Sequence, residues 1–134
     1  VLWLEQYPKG PGPTVPEIAT LLKGIETIEK TCFSACGSER FLLALSNSGR
    51  RTAVVAGIES HVCVYQTAQD LLALGFVVEV VRDAVSSRTA ENRLAGFDRM
   101  VRLGAGMTTV EMVLFEWLRE AGSAAFKEIS RMVR

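Results

Sequence analysis

Short apolar segments alternate with amphipathic segments along the whole chain, and this alternation restricts the fold more than any other feature. Segments 52–58 (TAVVAGI) and 76–82 (FVVEVVR) are nearly continuous runs of small and β-branched residues. Such runs are typical of strands buried on both faces of a parallel sheet. Each is followed by a longer segment with helical character. The sequence therefore predicts a three-layer α/β/α fold with a mostly parallel, doubly wound sheet.

The predicted elements fill residues 1–134 as one domain. The predicted strands are 1–7, 25–31, 52–58, 76–82 and 104–107. The predicted helices are 15–23, 38–46, 60–74, 90–103 and 109–121, and a short C-terminal helix follows Gly122 and Ser123. Ser38 and Thr89 are expected to cap helices, and Thr108 is expected to form a capping box with Glu111.

The composition excludes several classes of protein. Fifteen Lys and Arg balance fifteen Asp and Glu, so no overall positive charge attracts nucleic acid or an anionic membrane. No apolar run reaches the roughly 18 residues that a membrane span requires. Three cysteines are too few for a disulfide-stapled secreted scaffold. We therefore expect a soluble protein with reduced thiols, located in the cytoplasm or another reducing compartment.

The segment 54–64 (VVAGIESHVCV) passes directly from a predicted strand into a helix, at the sheet edge where open α/β proteins bind ligands. Cys63 falls in the first helical turn, where unpaired N–H groups and the helix dipole stabilise a thiolate. Cys63 is therefore a candidate nucleophile, and the N–H groups of Glu59 through Cys63 are candidate oxyanion donors. A small, buried apolar residue is an equally good interpretation of this cysteine.

The segment GIESHVCVYQTAQDLLALGFVVEVVRDAVSSR resembles the isochorismatase-like cysteine hydrolase family, close to its nicotinamidase and carbamoylase members. The resemblance extends through EQYPKGPGPTVPEI and IEKTCFSAC before it and through GMTTVEMVLFEWL and FKEISRMV after it. It implies a Cys–Lys–Asp triad in which Cys63 is the nucleophile and Lys30 is the lysine. It also implies a cis peptide bond between Ile58 and Glu59, which directs the N–H groups of Glu59 and Cys63 at one oxygen.

Other residues near this motif allow more than one interpretation. Without the resemblance, Lys30 is better interpreted as a solvated charge beside Glu26 and Glu29. Ser60, His61 and Tyr7 are expected at the edge of the substrate site.

Two features depart from the family pattern. The family aspartate lies on a first strand, and residues 1–30 contain no aspartate, so we expect the chain to lack the first strand and helix of a longer protein. The zinc-binding Asp-x-His of nicotinamidases has no counterpart, since EQYPKG stands in its place and His61 is the single histidine. A Cys₃His site with Cys32 and Cys36 is disfavoured because His61 and Cys63 diverge around a helix start. We expect no metal and no cofactor.

The predicted function is hydrolysis of a small amide-like substrate through the Cys63 thiol and an acyl-enzyme. Cleavage of the vinyl ether isochorismate needs no thiol, so the family name does not indicate the substrate. Two other functions stay open: an inactive interaction module that keeps the fold, and a redox-sensing protein in which Cys32 or Cys36 resolves oxidised Cys63. We expect a small molecule and further copies of the chain as partners, since the last helices carry surplus apolar surface.

Overall fold

The computed structural model describes residues 1–7, 9–10 and 12–133. The strands are β1 (Trp3–Gln6), β2 (Thr27–Lys30), β3 (Thr52–Ile58), β4 (Val77–Ser86) and β5 (Gly106–Thr108). The helices are α1 (Pro16–Leu21), α2 (Glu39–Asn47), α3 (Tyr65–Ala73), α4 (Ala90–Arg102), α5 (Val110–Leu118) and α6 (Ala124–Met132). A 3₁₀ turn, Ala35–Gly37, precedes α2, and a π-helical turn, Ser60–Val64, precedes α3. We call Ser60–Val64 the Cys63 turn.

All strand pairs in the described part of the chain are parallel. Strand β1 pairs with β2, and Gln6 lies opposite Lys30. The other three strands form a second sheet in the order β3-β4-β5. The predicted α/β class with parallel strands is confirmed, but the five described strands form two sheets and not one continuous sheet.

The hydrophobic core lies between strand β4 and the helices α3 and α4. Val78 and Val80 of β4 are 1% and 0% exposed, and they pack with Leu71 of α3 and Met100 of α4. Burial of each such side chain contributes about 1.5–3 kcal/mol. This core fixes the carboxyl ends of β3 and β4, from which the candidate site is built.

Strand β3 corrects the prediction that segment 52–58 is buried on both faces. Its side chains alternate between half-buried and exposed up to Val55, with Val54 43% exposed, and the last three residues are all exposed. The physical reason is that β3 is an edge strand of the described sheet, paired only with β4, so fewer neighbours cover the side chains on its two faces.

Three predicted element boundaries were also wrong. The predicted helix 60–74 begins as the Cys63 turn, in which the Val64 N–H donates to the Glu59 carbonyl at 3.1 Å. Strand β4 continues to Ser86 and not to residue 82. Thr109, not Thr108, caps α5. Thr108 is buried as the last residue of β5, and the Thr109 hydroxyl accepts from the Met112 N–H at 3.2 Å.

The capping predictions for Ser38 and Thr89 are confirmed. The Ser38 hydroxyl accepts from the Phe41 N–H, and the Thr89 hydroxyl accepts from the Asn92 N–H. Among the described residues, no helix is both long enough and apolar enough to cross a membrane.

Candidate active site

The candidate site gathers side chains from the carboxyl ends of β1, β2 and β3. Gln6 and Lys30 are the last residues of β1 and β2, and Cys63 follows β3 through the Ile58–Glu59 connection. Parallel strands place all three ends at one edge, which is where open α/β sheets bind ligands. Gln6 was not among the sequence-predicted site residues, because the predicted strand 1–7 ended one residue later, at Tyr7, whereas β1 ends at Gln6.

The Lys30 ammonium is held by three oxygen atoms. Its Nζ atom donates to the Gln6 Oε1 atom at 2.5 Å and to the carbonyls of Cys32 and Phe33, both at 2.8 Å. An ammonium has three N–H donors, so these contacts account for all of them. Lys30 is thus a fixed cation of the site and not the solvated charge that its sequence neighbours suggested.

The Cys63 thiol meets the same glutamine oxygen. Its Sγ atom lies 3.8 Å from Gln6 Oε1, with the thiol as donor. The other end of the glutamine amide is anchored, because Nε2 donates to the Thr31 carbonyl at 2.7 Å. One oxygen atom therefore joins the predicted nucleophile to the predicted cation, and Cys63 is half-buried and free of any disulfide.

The backbone between β3 and the Cys63 turn is unusual. The Ile58–Glu59 peptide bond is cis, at the position that the resemblance implies. Gly57 has φ +120, a conformation that residues with a side chain rarely adopt, and a Cβ there would meet nothing within 4 Å. Glycine is required at this position for its backbone conformation and not for space.

The Glu59 side chain points to a second group of polar residues. Arg88 donates from Nε and Nη2 to the two Glu59 carboxylate oxygens, at distances from 3.0 to 3.2 Å. The hydrogen bonds from Arg88, and then its positive charge, hold the pKa of Glu59 below its ordinary value. His61 lies beside this pair, with Nε2 3.6 Å from the carboxylate and Nδ1 3.1 Å from the Ser87 hydroxyl. The loop after β4 is thereby tied to the Cys63 turn.

Two further predicted residues differ in their placement. Tyr7 follows Gln6, is 54% exposed and donates its N–H to the Lys30 carbonyl at 2.9 Å, so its backbone lies next to the last residue of β2. Ser60 is 0% exposed, and its hydroxyl donates to the Arg93 carbonyl at 2.9 Å. Its expected place at the substrate-site edge was wrong, because α4 packs directly on this end of the turn.

The contact between α4 and the Cys63 turn depends on Gly96. A Cβ at Gly96 would lie 2.7 Å from the Ser60 carbonyl carbon and 2.8 Å from the His61 nitrogen, and it would also collide with the Ser60 hydroxyl. Only glycine allows the helix backbone to approach the turn this closely. The helix thereby supports the turn that carries Cys63.

Cys32 contributes its backbone carbonyl to the Lys30 ammonium, and Cys36 lies in the 3₁₀ turn that follows. Burial, and then the negative charge of Asp70, raises the pKa of the Cys36 thiol. Asp70 accepts a hydrogen bond of 2.6 Å from the Ser34 hydroxyl. Within residues 1–7, 9–10 and 12–133, no group of three His, Cys, Asp or Glu residues is placed to hold a metal ion.

Comparisons with known proteins identify the family of the chain. The family model for the isochorismatase domain matches residues 1–112. Isochorismatase domain-containing protein 2A of Mus musculus is 40% identical over 134 residues, which cover 100% of this chain and 64% of that protein. The chain thus spans less than two thirds of the length of that relative.

Solved structures give the same assignment. The structure described as MAR1 ribonuclease from Caenorhabditis elegans matches with a TM-score of 0.88 and 38% identity, covering 97% of this chain and 67% of that chain. The YcaC gene product of Escherichia coli, described as an octameric hydrolase of unknown specificity, matches with a TM-score of 0.89 and 28% identity, covering 96% of this chain and 65% of that chain. On sequence and structure together, the chain belongs to the isochorismatase domain family.

Proposed function

We propose that this chain carries the nucleophile and the cation of a cysteine hydrolase that acts on a small amide-like substrate. The observation that carries the proposal is the shared contact of Lys30 Nζ and Cys63 Sγ with Gln6 Oε1. A thiol in the first turn after a strand, beside a fixed ammonium, is the arrangement that activates a cysteine for attack on a carbonyl.

The reaction proceeds by acyl transfer. The Cys63 thiol loses its proton, and the sulfur attacks the amide carbonyl to form a tetrahedral oxyanion that the N–H groups of Glu59 and Cys63 stabilise. The C–N bond then breaks, the nitrogen takes a proton, and an amine leaves a thioester on Cys63. Water cleaves the thioester to a carboxylic acid and restores the thiol.

Lys30 contributes a positive charge and not a proton acceptor. Its three N–H groups are directed at oxygens, so the charge acts on the thiolate and on the oxyanion through space. The resemblance implies an aspartate as the base that takes the thiol proton. Residues 1–30 contain none, so the residues of this chain supply the nucleophile and the cation only.

The test is to trap the acyl-enzyme. The protein is incubated with a panel of small primary amides, quenched in acid and digested, and the peptide containing Cys63 is weighed. The expected result is an acyl adduct on Cys63 that is absent from Cys63→Ala and present in the matched control Cys36→Ala. An adduct on Cys36 or Cys32, or none on any cysteine while the amides are hydrolysed, would contradict the proposed mechanism.

The inactive interaction module is the second candidate, and the exposed apolar side chains of helix α5 support it. It predicts neither an adduct nor hydrolysis in the same experiment. For the redox-sensing alternative, burial and the charge of Asp70 raise the pKa of the Cys36 thiol, which disfavours Cys36 as the resolving residue.

Self-association and location complete the proposal. Helix α5 buries only Val113 and exposes four large apolar side chains, which are Val110, Met112, Phe115 and Trp117. Together with the octameric assembly of the Escherichia coli relative, this surface supports packing against further copies of the chain.

The balanced net charge supports a small-molecule substrate over RNA or a membrane surface. Free thiols at all three cysteines support a reducing compartment such as the cytoplasm.

A further inference from the structure

We propose that Gln6 is a positioning residue that holds Cys63 in the protonated thiol form until a substrate enters. The proposal rests on the proposed function, because it describes how the nucleophile of that reaction is kept at rest. Its basis is the direction of the three hydrogen bonds that the Gln6 side chain makes.

The first step concerns the orientation of the amide. Gln6 Nε2 donates to the Thr31 carbonyl at 2.7 Å, so the NH₂ end of the amide is fixed on the neighbouring chain segment. The oxygen end must then face the site, where it accepts from Lys30 Nζ at 2.5 Å. An oxygen that accepts from a cation is held more firmly than one bound by a neutral donor.

The second step concerns the thiol. Cys63 Sγ lies 3.8 Å from this oxygen, and in a hydrogen bond with an amide oxygen the thiol is the donor. A thiolate has no proton to donate and would face the lone pairs of the oxygen. The contact therefore favours the neutral thiol over the thiolate.

The third step concerns Lys30. All three of its N–H groups are directed at Gln6, Cys32 and Phe33, so none is directed at Cys63 sulfur. Gln6 thus withholds the donor that would stabilise a thiolate best. Both effects act in the same direction, and removal of the Gln6 amide should reverse both.

Other charges surround the Cys63 turn and are left unchanged by substitution at Gln6. The charged and titratable side chains of the turn and of the elements packed against it, apart from Lys30, include Glu59, His61, Arg88 and Arg99. Glu59 is already paired with Arg88.

The test measures the rate of alkylation of Cys63 by iodoacetamide against pH, by peptide mass spectrometry on the folded protein. Gln6→Met removes the acceptor and frees one Lys30 N–H for the thiolate. We expect the pH midpoint of alkylation to fall by about 0.7 units, the fivefold change that one hydrogen bond corresponds to. Gln6→Glu places a negative charge beside the sulfur and neutralises Lys30, so its midpoint should rise by about one unit.

The matched control is Gln69→Glu, which introduces the same charge on the exposed face of α3, where Gln69 accepts from the Tyr65 hydroxyl at 2.9 Å. Its midpoint should stay at the wild-type value. Circular dichroism must show that each variant is folded. If Gln6→Met fails to fold, Gln6→Leu replaces it, and if Gln6→Glu fails to fold, the direction of the shift in the uncharged variant decides.

The outcomes separate this proposal from the proposed function. If no acyl adduct forms on Cys63 in the trapping experiment, the proposed nucleophile fails. If the adduct forms but Gln6→Met leaves the pH midpoint of Cys63 alkylation unchanged or raises it, the role of Gln6 alone is overturned. Opposite shifts for the two Gln6 variants, with no shift for Gln69→Glu, support the role of Gln6.

Discussion

Replacement of Gly96 by alanine is expected to destabilise the protein, although alanine is the better helix former. The new Cβ would lie 2.7 Å from the Ser60 carbonyl carbon and 2.8 Å from the His61 nitrogen. Both are backbone atoms, so no rotamer change relieves the contact. Helix α4 must move away from the Cys63 turn, and the core formed by Phe97 and Met100 on the same helix moves with it.

The magnitude follows from two opposing terms. Overpacking of a close contact costs about 1–3 kcal/mol, and contact with two backbone atoms places this case near 3 kcal/mol. Exchange of glycine for alanine inside a helix stabilises by about 1 kcal/mol. The free energy of unfolding should therefore fall by about 2 kcal/mol.

Gly106→Ala is the matched control, because the same methyl group is added next to a side chain that can move. Its Cβ would lie 2.6 Å from the Glu79 carboxyl carbon, at the flexible end of that residue. Rotation of Glu79 relieves the contact, so the loss should stay below about 1 kcal/mol.

The assay is equilibrium unfolding in urea, followed by circular dichroism, with the free energy taken from the midpoint and the slope. The alkylation rate of Cys63 is measured in parallel and should change in Gly96→Ala, since the displaced turn carries the thiol. A Gly96→Ala protein as stable as the wild type, or more stable, would show that helix propensity dominates. The close packing of α4 on the Cys63 turn would then be refuted.

Three further predictions concern charge and surface. Arg88→Met removes the cation that lowers the pKa of Glu59. A carboxylate whose pKa is lowered by folding stabilises the protein at pH values above its unfolded-state pKa. That stabilisation is lost as the pH falls through its folded-state pKa. The stability of the variant should therefore decline less between about pH 5 and pH 3 than that of the wild type. Identical declines in urea unfolding would contradict the pairing. Asp70→Asn removes a charge that raises the pKa of Cys36, so the pH midpoint of Cys36 alkylation should fall, and an unchanged midpoint would show that burial alone sets it. The folded protein disfavours the Cys36 thiolate, whereas the unfolded chain does not. The contribution of Cys36 to the free energy of unfolding is therefore lost as the pH rises above the unfolded thiol pKa of about 8.5. Trp117→Ser should reduce the assembly size in sedimentation velocity without loss of helicity, because Trp117 is 71% exposed on α5; equal masses for both proteins would exclude α5 from the contact.

The order and type of the elements were predictable because each depends on a local pattern. Strand β3 has the predicted bounds, 52–58, and α4 differs by one residue from the predicted 90–103. Burial was less predictable. The apolar run in β3 indicated a strand covered on both faces, but coverage depends on the neighbouring strands and helices, and Val54 is 43% exposed.

The candidate site was predictable where a residue's own neighbours in sequence reveal its role. Cys63 follows a strand and a glycine, which is a local signal, and its motif carries the family resemblance. Lys30 was assigned by the resemblance alone, since its neighbours Glu26 and Glu29 suggested a solvated face. The pair of Glu59 and Arg88 joins residues 29 positions apart, so no local pattern indicates it.

Gln6 was missed because its role depends on strand register. Tyr7, one position further along, was named instead, and side chains of successive residues in a strand point to opposite faces. The pairing of Gln6 with Lys30 spans 24 positions, and the contact with Cys63 spans 57. Both exist only once β1 and β2 pair in the register that places Gln6 opposite Lys30. A slip of one residue would present Glu5 or Tyr7 in its place and remove the amide oxygen that joins Lys30 to Cys63. The register of β1 on β2 is therefore as much a determinant of this site as the identity of its cysteine.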